Sequence, residues 1–379
     1  MELVFGILLG LVVLVVLVVL HELGHAIVAK RNGVVVEEFG IGFPPKAWGK
    51  KLKNGVLFTL NWLPLGGFVR LKGEHDVADK KGDYGAATFW QKTKILFAGV
   101  VVNWLVAVVI LTGLALVGLP KIIPNQFSVP ADSIIVNKPV QLGEVVKDYP
   151  AAQAGLQTND LIVSFAGEPI ESTDELITVS KSHRGESVEV VYERDGEQKE
   201  TTVALRDADS AVFGASLGQQ QSVRSTWSAP IVGVVTTAQF TWVTLQGLGN
   251  LLGDLFSGLF LQLSPNEATR EQGSANLDEA SNSVAGPVGI LGTIFPAAGQ
   301  GGIQEILFLT AIISLTLAVM NTLPIPALDG GSWFLMALFR IIKKPLTKDI
   351  EERVKGTGFL ILMALILLVT IGDVTKLFS

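Results

Sequence analysis

His21-Glu22-Leu23-Gly24-His25 is the stretch of this chain whose residue types and spacing are suited to chemistry. On a helix, two imidazoles four positions apart share one face and can both reach a single Zn²⁺. The glutamate beside them can then serve as general base toward water activated at that ion. The motif closes an apolar run that begins at Leu3 and carries no charge before His21. Such a run is long enough to cross a bilayer, where ionisable side chains are costly and usually functional. Three of them in five positions favour a zinc site within the membrane over a helix end that merely faces the interface. A cleavable signal peptide is not expected, because the Met1-Glu2 start has no basic region and no small-residue cleavage pattern follows.

A metal site of this kind needs further ligands and a scaffold, and composition bounds both. Of 379 residues, 49% are hydrophobic and only 17% charged, a balance too apolar for an ordinary soluble enzyme. It implies a polytopic membrane protein with a soluble portion. The net charge of −6 gives no nucleic-acid signal, and none is expected as a partner. Without cysteine there are no disulfides, no thiol catalysis and no thiolate metal site. Zinc ligands must therefore come from His21, His25, His75, His183 or carboxylates.

Three more apolar segments approach spanning length: Ile95–Leu119, Ile306–Leu323, and Phe359–Ile371 with its flanks. Lysine and arginine crowd residues 30–95 and 340–356, whereas 120–303 is rich in aspartate and glutamate. The positive-inside rule puts the basic loops in the cytoplasm, with both termini and 120–303 outside. The first and third spanning segments then run the same way. Asn321-Thr322-Leu323-Pro324-Ile325-Pro326-Ala327-Leu328-Asp329-Gly330-Gly331 ends the third, and two prolines and a glycine pair break the helix where Asp329 arrives. Irregular backbone at membrane depth is tolerated against protein or a water-filled cavity. Asp329 alone would pass as a helix cap. Parity instead brings it to the same, cytoplasmic-proximal side as His21 and His25, and two histidines, one carboxylate and a water make a catalytic zinc set.

HExxH in the first membrane helix, paired with NxxPxPxLDGG in a later one, resembles the site-2 protease family of intramembrane zinc metalloproteases, in its bacterial sigma-E-regulating form. The resemblance implies that His21, His25 and Asp329 ligate Zn²⁺, that Glu22 is the catalytic base, and that Asn321 helps hold an extended substrate backbone. It also implies that a hairpin turned at Asn54-Gly55 is a membrane-re-entrant β element near the zinc. Its edge, with Gly66 and Gly67 as substrate-binding positions, would accept an unwound substrate as an added strand. Taken on its residues alone, the same stretch reads as a small cytoplasmic sheet.

The expected fold is a polytopic α-helical membrane protein with about four transmembrane helices, a membrane-associated β-hairpin element and one inserted α+β PDZ-like domain. Its parts are a first spanning helix over 1–30, the β region over 31–95 and a second spanning helix over 96–120. The PDZ-like domain follows over 140–207, outside the cytoplasm. Tyr149-Pro150-Ala151-Ala152-Gln153-Ala154-Gly155-Leu156 carries that likeness, together with a helix over Thr173–Lys181 and a hairpin across Asp195-Gly196. A peptide ligand for its groove and a spacer without ligand are both open. The type resembled commonly has two PDZ domains in tandem, and this chain has room for one. Parity makes 227–263 an amphipathic helix on the outer surface, since a crossing there would carry Asp329 away from the histidines. Residues 264–303 are expected as a mobile polar loop followed by Ala285-Gly286-Pro287-Val288-Gly289-Ile290, which resembles a loop near the entrance to the family's core. The last two spanning segments are 304–331 and 357–376. His75 and His183 are expected as exposed loop residues.

The implied activity is cleavage of single-pass membrane proteins, such as anti-sigma factors or leftover signal peptides, in the bacterial cytoplasmic membrane, with the lipid bilayer as the other partner. Two rivals are weaker. A non-catalytic PDZ-bearing adaptor would be expected to have lost Glu22 or a ligand, and neither is lost. A zinc carrier would need polar residues along a path, and the spanning segments offer little beyond Asn103.

Overall fold

Backbone groups that water cannot reach must pair within their own segment, so each long apolar run closes into a helix in the computed structural model, which describes residues 2–74, 80–194, 196–208 and 210–378. Among the described residues, five helices are long and apolar enough to cross a membrane by length and composition: Leu3–Arg31, Phe89–Val117, Ala229–Gln262, Ile303–Thr322 and Lys348–Thr375. The chain forms two compact units, one made of Met1–Thr112 with Gly233–Ser379 and the other of Gly113–Val232.

The first unit opens with α1 (Glu2–Arg31), followed by the antiparallel strands β1 (Val36–Lys51) and β2 (Leu57–Leu71). The turn between the strands is the expected one: Gly55 takes φ +89°, and Asn54 Oδ1 accepts the Val56 N–H at 3.2 Å. This hairpin folds back on itself. Residues 36–41 pair with 67–71 on one side and 57–60 on the other, while 46–51 line the far side of 57–61. The result is four short strand segments, with 67–71 and 46–51 as edges. Glu38 is buried in this sheet with its charge compensated by Thr59 Oγ1 and Arg70 Nη2, each at 2.8 Å. The sequence reading extends the β region to residue 95, yet 89–96 is helical. This α2 (Phe89–Leu96) starts at a Thr88/Gln91 capping box and leads into α3 (Ala98–Val117). Helix α3 runs antiparallel to α1, for Gly24 abuts Ala98 while the earlier His21 abuts Gly99 and Asn103.

The second unit contains β3 (Leu119–Pro120), β4 (Ile134–Asn137), β5 (Val140–Val145), α4 (Pro150–Gln153), β6 (Leu161–Phe165), β7 (Glu168–Pro169), α5 (Thr173–Ser182), β8 (Ser187–Arg194), β9 (Glu197–Ala204), β10 (Ala215–Gly218) and β11 (Gln221–Arg224). One sheet has the order β10-β5-β6-β8-β9, with β7 on β6, and α5 packs near β6. Its core holds Leu142, Ile162, Phe165, Leu176, Val190 and Val203. Buried Asp160 is gripped by Arg194 through two 2.7 Å bonds. Strand β10 completes this sheet, so the domain continues past the expected boundary at 207. Asp195, in the expected turn between β8 and β9, and His75 lie outside the described residues. His183 ends α5 and lies 2.7 Å from Glu186, away from any cluster of metal-binding groups. A second sheet, β3-β11-β4, has no counterpart in the sequence reading, because two- and four-residue strands leave too short a pattern.

The chain then returns to the first unit through α6 (Ala229–Gln262), α7 (Glu267–Asn282), α8 (Pro287–Gly289), a π-helical turn over Ile290–Ile294, α9 (Phe295–Gln300), α10 (Ile303–Thr322), α11 (Asp329–Ile341) and α12 (Lys348–Phe378). Helix α7 replaces the loop expected over 264–283. Asn266 caps it by accepting the Ala268 N–H, and Gly258 of α6 lies against Gly273 and Leu277 of α7. Its Glu, Ala, Gln and Arg residues are good helix formers without an apolar stripe, which hides it from a periodicity reading. Helix α11 is also additional. Gly6 and Gly10 of α1 fit against Pro296 and Phe295, just ahead of α10, so α10 runs in the direction of α1.

The chain enters α6 through Asp132, which accepts hydrogen bonds from the backbone and hydroxyl of both Thr226 and Ser228. Desolvation raises this carboxyl, but the Ser228 and Thr226 donors outweigh it and hold the pKa below the ordinary carboxylate range. A pKa lower in the folded chain than the unfolded value of about 3.9 stabilises at pH above that value, and the contribution fades as pH falls. Asp132→Ala is therefore expected to melt lower than the parent at about pH 6, with the gap beginning to narrow only below about pH 3.9, in thermal unfolding of the detergent-solubilised chain.

Candidate active site

Helix α1 presents His21 and His25 one turn apart, both buried, and α11 brings Asp329 to them. His21 Nε2 lies 3.1 Å from Asp329 Oδ2 and 3.1 Å from His25 Nε2, and His25 Nε2 lies 3.3 Å from the same carboxylate oxygen. These three residues are the one group of potential metal ligands of this kind among the described residues. Ligand bonds of about 2.0–2.1 Å around a tetrahedral Zn²⁺ set the ligand atoms about 3.3 Å apart, so the spacing suits that ion.

The surroundings prepare the nitrogens for a cation. His25 Nδ1 is 2.7 Å from the Ile95 carbonyl, which can only accept, so Nδ1 carries the hydrogen and Nε2 keeps its lone pair. The Asn103 amide stands 3.4 Å from His21 Nδ1, and its Oδ1 is buried without a protein partner. An amide's oxygen and nitrogen are interchangeable in shape. With Oδ1 turned to Nδ1–H, Asn103 would orient His21 as Ile95 orients His25. Gly99 keeps the space open: a Cβ there would stand 2.5 Å from His25 Nε2 and 2.6 Å from His21 Nε2. The donor set and the cradle both fit zinc.

Asp329 reaches this point because the glycines after it allow close packing. A Cβ on Gly330 would lie 2.3 Å from the Thr322 carbonyl, and one on Gly331 2.0 Å from that of Ile325. Only glycines let α11 begin directly against the turn that ends α10, and its positive end suits a carboxylate in the first turn. Trp333 fixes α11 to α2 by a 3.0 Å bond to Thr93.

Glu22 stands beside the histidines and borders a cavity of about 230 Å³ that His25 and Asp329 also line. Tyr84, Glu74, Ser332 and Lys355 give the same cavity a polar wall, as a water-accessible site requires. The Val69 backbone of β2 hydrogen-bonds to Glu22, and Gly67 passes so close that a Cβ there would lie 3.5 Å from Glu22 Cγ. Gly66, at φ +95°, packs against the Phe43 ring. Asn321 stays outside the cluster of ligand atoms, its Nδ2 donating to the Leu317 carbonyl at 3.0 Å. Sequence reasoning brought His21, Glu22, His25 and Asp329 together but missed Gly99, Asn103 and the Ile95 carbonyl. Asn103 had left a signal, being the polar break in an apolar run.

A model of Peptidase family M50 matches residues 9–365. The chain belongs to peptidase family M50. This is the site-2 protease family, and the protein is a zinc metalloprotease integral to the membrane. Its relatives match it from end to end. A candidate zinc metalloprotease of Clostridium perfringens is 32% identical over 94% of this chain and 95% of its own. Zinc metalloprotease RasP of Geobacillus kaustophilus is 28% identical over 97% of each chain. The regulator of sigma-W protease RasP of Bacillus subtilis is 27% identical over 96% of each. Among solved structures, the PDZ domain of an SdrC-like protein from Listeria monocytogenes aligns at 26% identity, covering 21% of this chain and 86% of that one, with a TM-score of 0.19.

Because the M50 member's two Nε2 atoms share the space over Gly99, Gly99→Ala should weaken zinc binding about 10- to 100-fold, the range found for disturbed ligand surroundings. Metal analysis of the purified chain after dialysis against a competing chelator checks this, with circular dichroism reporting an unchanged helix content.

Proposed function

We propose that this metalloprotease hydrolyses peptide bonds within the spanning segments of single-pass membrane proteins, with His21, His25 and Asp329 as the zinc ligands and Glu22 as the general base. The observation that carries this reading is that Glu22, His25 and Asp329 line one polar-walled cavity while His21 Nε2 lies 3.1 Å from both His25 Nε2 and Asp329 Oδ2. Zinc supplies Lewis acidity that makes water a stronger acid and polarises a carbonyl. Glu22 takes the proton from the attacking water and returns it to the amide nitrogen that leaves. Ile95 and Asn103 hold the two imidazoles in the orientation that binding requires.

An α-helical substrate shields its scissile carbonyls and must first become extended. The edge segment 67–71 passes beside Glu22 and offers backbone groups to which an extended strand can add. Gly66 and Gly67, packed against Phe43 and Gly40, would bind that strand through their backbone. Asn321, with its nitrogen held by Leu317, would contribute Oδ1 to the substrate backbone.

The geometry also supports four crossings, by α1, α3, α10 and α12. Gly233 starts α6 beside Thr112, and Pro296 precedes α10 beside Gly6. Both points lie on the ends of α3 and α1 remote from the histidines, so 233–296 leaves and returns on the same side. Polar α7 is no membrane span, which leaves α6 at the outer surface. The basic loops then put the active site toward the cytoplasm and the PDZ-like domain outside, in a bacterial cytoplasmic membrane. A PDZ-like groove there can take a peptide by strand addition. The sigma-W regulation in one relative's name favours anti-sigma factors as substrates, beside leftover signal peptides.

The test is cleavage of a single-pass reporter helix by purified protein in detergent. The parent chain should cut it and a chelator should stop the cutting. Glu22→Gln should lower the rate about 10²- to 10⁴-fold while zinc content is kept. Unchanged cutting by that variant would remove Glu22 from the mechanism.

A further inference from the structure

We propose that the small sheet β3-β11-β4 is a foot that lies in the lipid headgroup layer and carries the PDZ-like domain at a fixed height over the bilayer. The proposal rests on α3 crossing the membrane, and is independent of which residues bind zinc. Chain continuity sets the location. Helix α3 ends at Val117 and β3 begins at Leu119, two residues and at most about 7 Å further on. Strand β11 is fastened to the same helix end: Ser225 N–H donates to the Ala115 carbonyl at 2.7 Å and Arg224 Nε to that of Leu116 at 3.3 Å. Those carbonyls belong to the last turn, which otherwise lacks partners. The sheet therefore cannot rise away from the end of the spanning helix.

Its surface suits that place. All of β4 is exposed, although three of its four residues are Ile134, Ile135 and Val136. Ile134 is 65% exposed, as is Trp227 just after β11, and Ile122 is 62% exposed. A bare apolar edge strand in water invites aggregation. At the headgroup boundary the same residues are favourable, and tryptophan is enriched there. Arg224 lies directly across from Ile134, and Lys121 and Lys138 follow β3 and β4. Lys121 Nζ donates to Gln221 Oε1 at 3.2 Å and Lys138 Nζ to Gln220 Oε1, so these charges are held as a basic border beside the apolar strand.

The foot is stiffly joined to the larger sheet. Two-residue links, Lys138-Pro139 and Gln219-Gln220, run side by side from β4 to β5 and from β10 to β11. Lys138 N–H donates to the Gln220 carbonyl at 2.8 Å, Lys138 Nζ to Gln220 Oε1 at 2.9 Å, and Gln219 Nε2 to the Lys138 carbonyl at 3.1 Å. A double, cross-tied stalk transmits the height of the foot to the PDZ-like domain.

The chain has no cysteine, so single cysteines report unambiguously. Ile134→Cys, Val136→Cys and, on the far strand β9, Lys199→Cys are labelled with an environment-sensitive fluorophore. The full chain is then reconstituted into phosphatidylethanolamine/phosphatidylglycerol vesicles containing headgroup-level spin-labelled lipid. Quenching at 134 and 136 at least about twofold above that at 199 is expected for residues in the interface. Equal quenching at all three positions, or quenching at 199 alone, overturns the proposal. So does protection of 134 and 136 from both lipid and aqueous quenchers, which would assign the strand to a second copy of the chain. A parent-like melting curve for each labelled variant establishes that it is folded, and Ile122→Cys replaces any that is not.

Discussion

Two imidazole nitrogens of α1 and a carboxylate oxygen at the start of α11 stand within about one ligand spacing of each other. Such groups need compensation in so apolar a setting, and in the proposed mechanism zinc supplies it. Gly99 leaves the volume, and the Ile95 carbonyl commits one proton of His25 so that the other nitrogen stays available. Gly330 and Gly331 let a new helix begin where the carboxylate is needed. Each adjustment is small, and each fits the proposed metal site.

The β element answers a second demand of the same site. A protease acting on spanning helices has to handle backbone that is already hydrogen-bonded, and a strand edge is the natural place for that backbone once it is freed. The folded-back hairpin sets such an edge, residues 67–71, next to Glu22. The buried Glu38 ties its own segment to the inner segment through Thr59 and to the edge segment through Arg70. In the proposed mechanism, substrate handling and proton transfer are thus neighbours on one strand and one helix.

The second unit works by different means. Its core is that of an ordinary soluble domain, with Phe165, Leu176 and Val190 sealed from solvent and Asp160 locked by Arg194. Its smaller sheet is the reverse, apolar and exposed, and it grows out of the end of α3. A region with its apolar residues outside has a meaning only in relation to what lies against it.

The long apolar helices α1, α3, α10 and α12, the Asn54-Gly55 turn, the α5 helix and the β8–β9 hairpin were legible in the sequence, because they rest on local pattern: unbroken apolar length, turn chemistry and alternation. His21, His25 and Asp329 were legible as candidates for the zinc site, since HExxH sets two imidazoles on one helix face and the expected parity brings Asp329 to their side. Tertiary structure alone decided what no local pattern encodes. Gly99 and Asn103 acquire their roles only because α3 runs antiparallel to α1, and Gly67 only because the hairpin doubles back onto Glu22. The apolar-poor α7, the additional α11 and the two- and four-residue strands of the small sheet were illegible for the same reason: their stability comes from partners distant in the chain, such as Gly258 for α7 and Ala115 for β11. Periodicity identifies a face, and only packing says what that face meets.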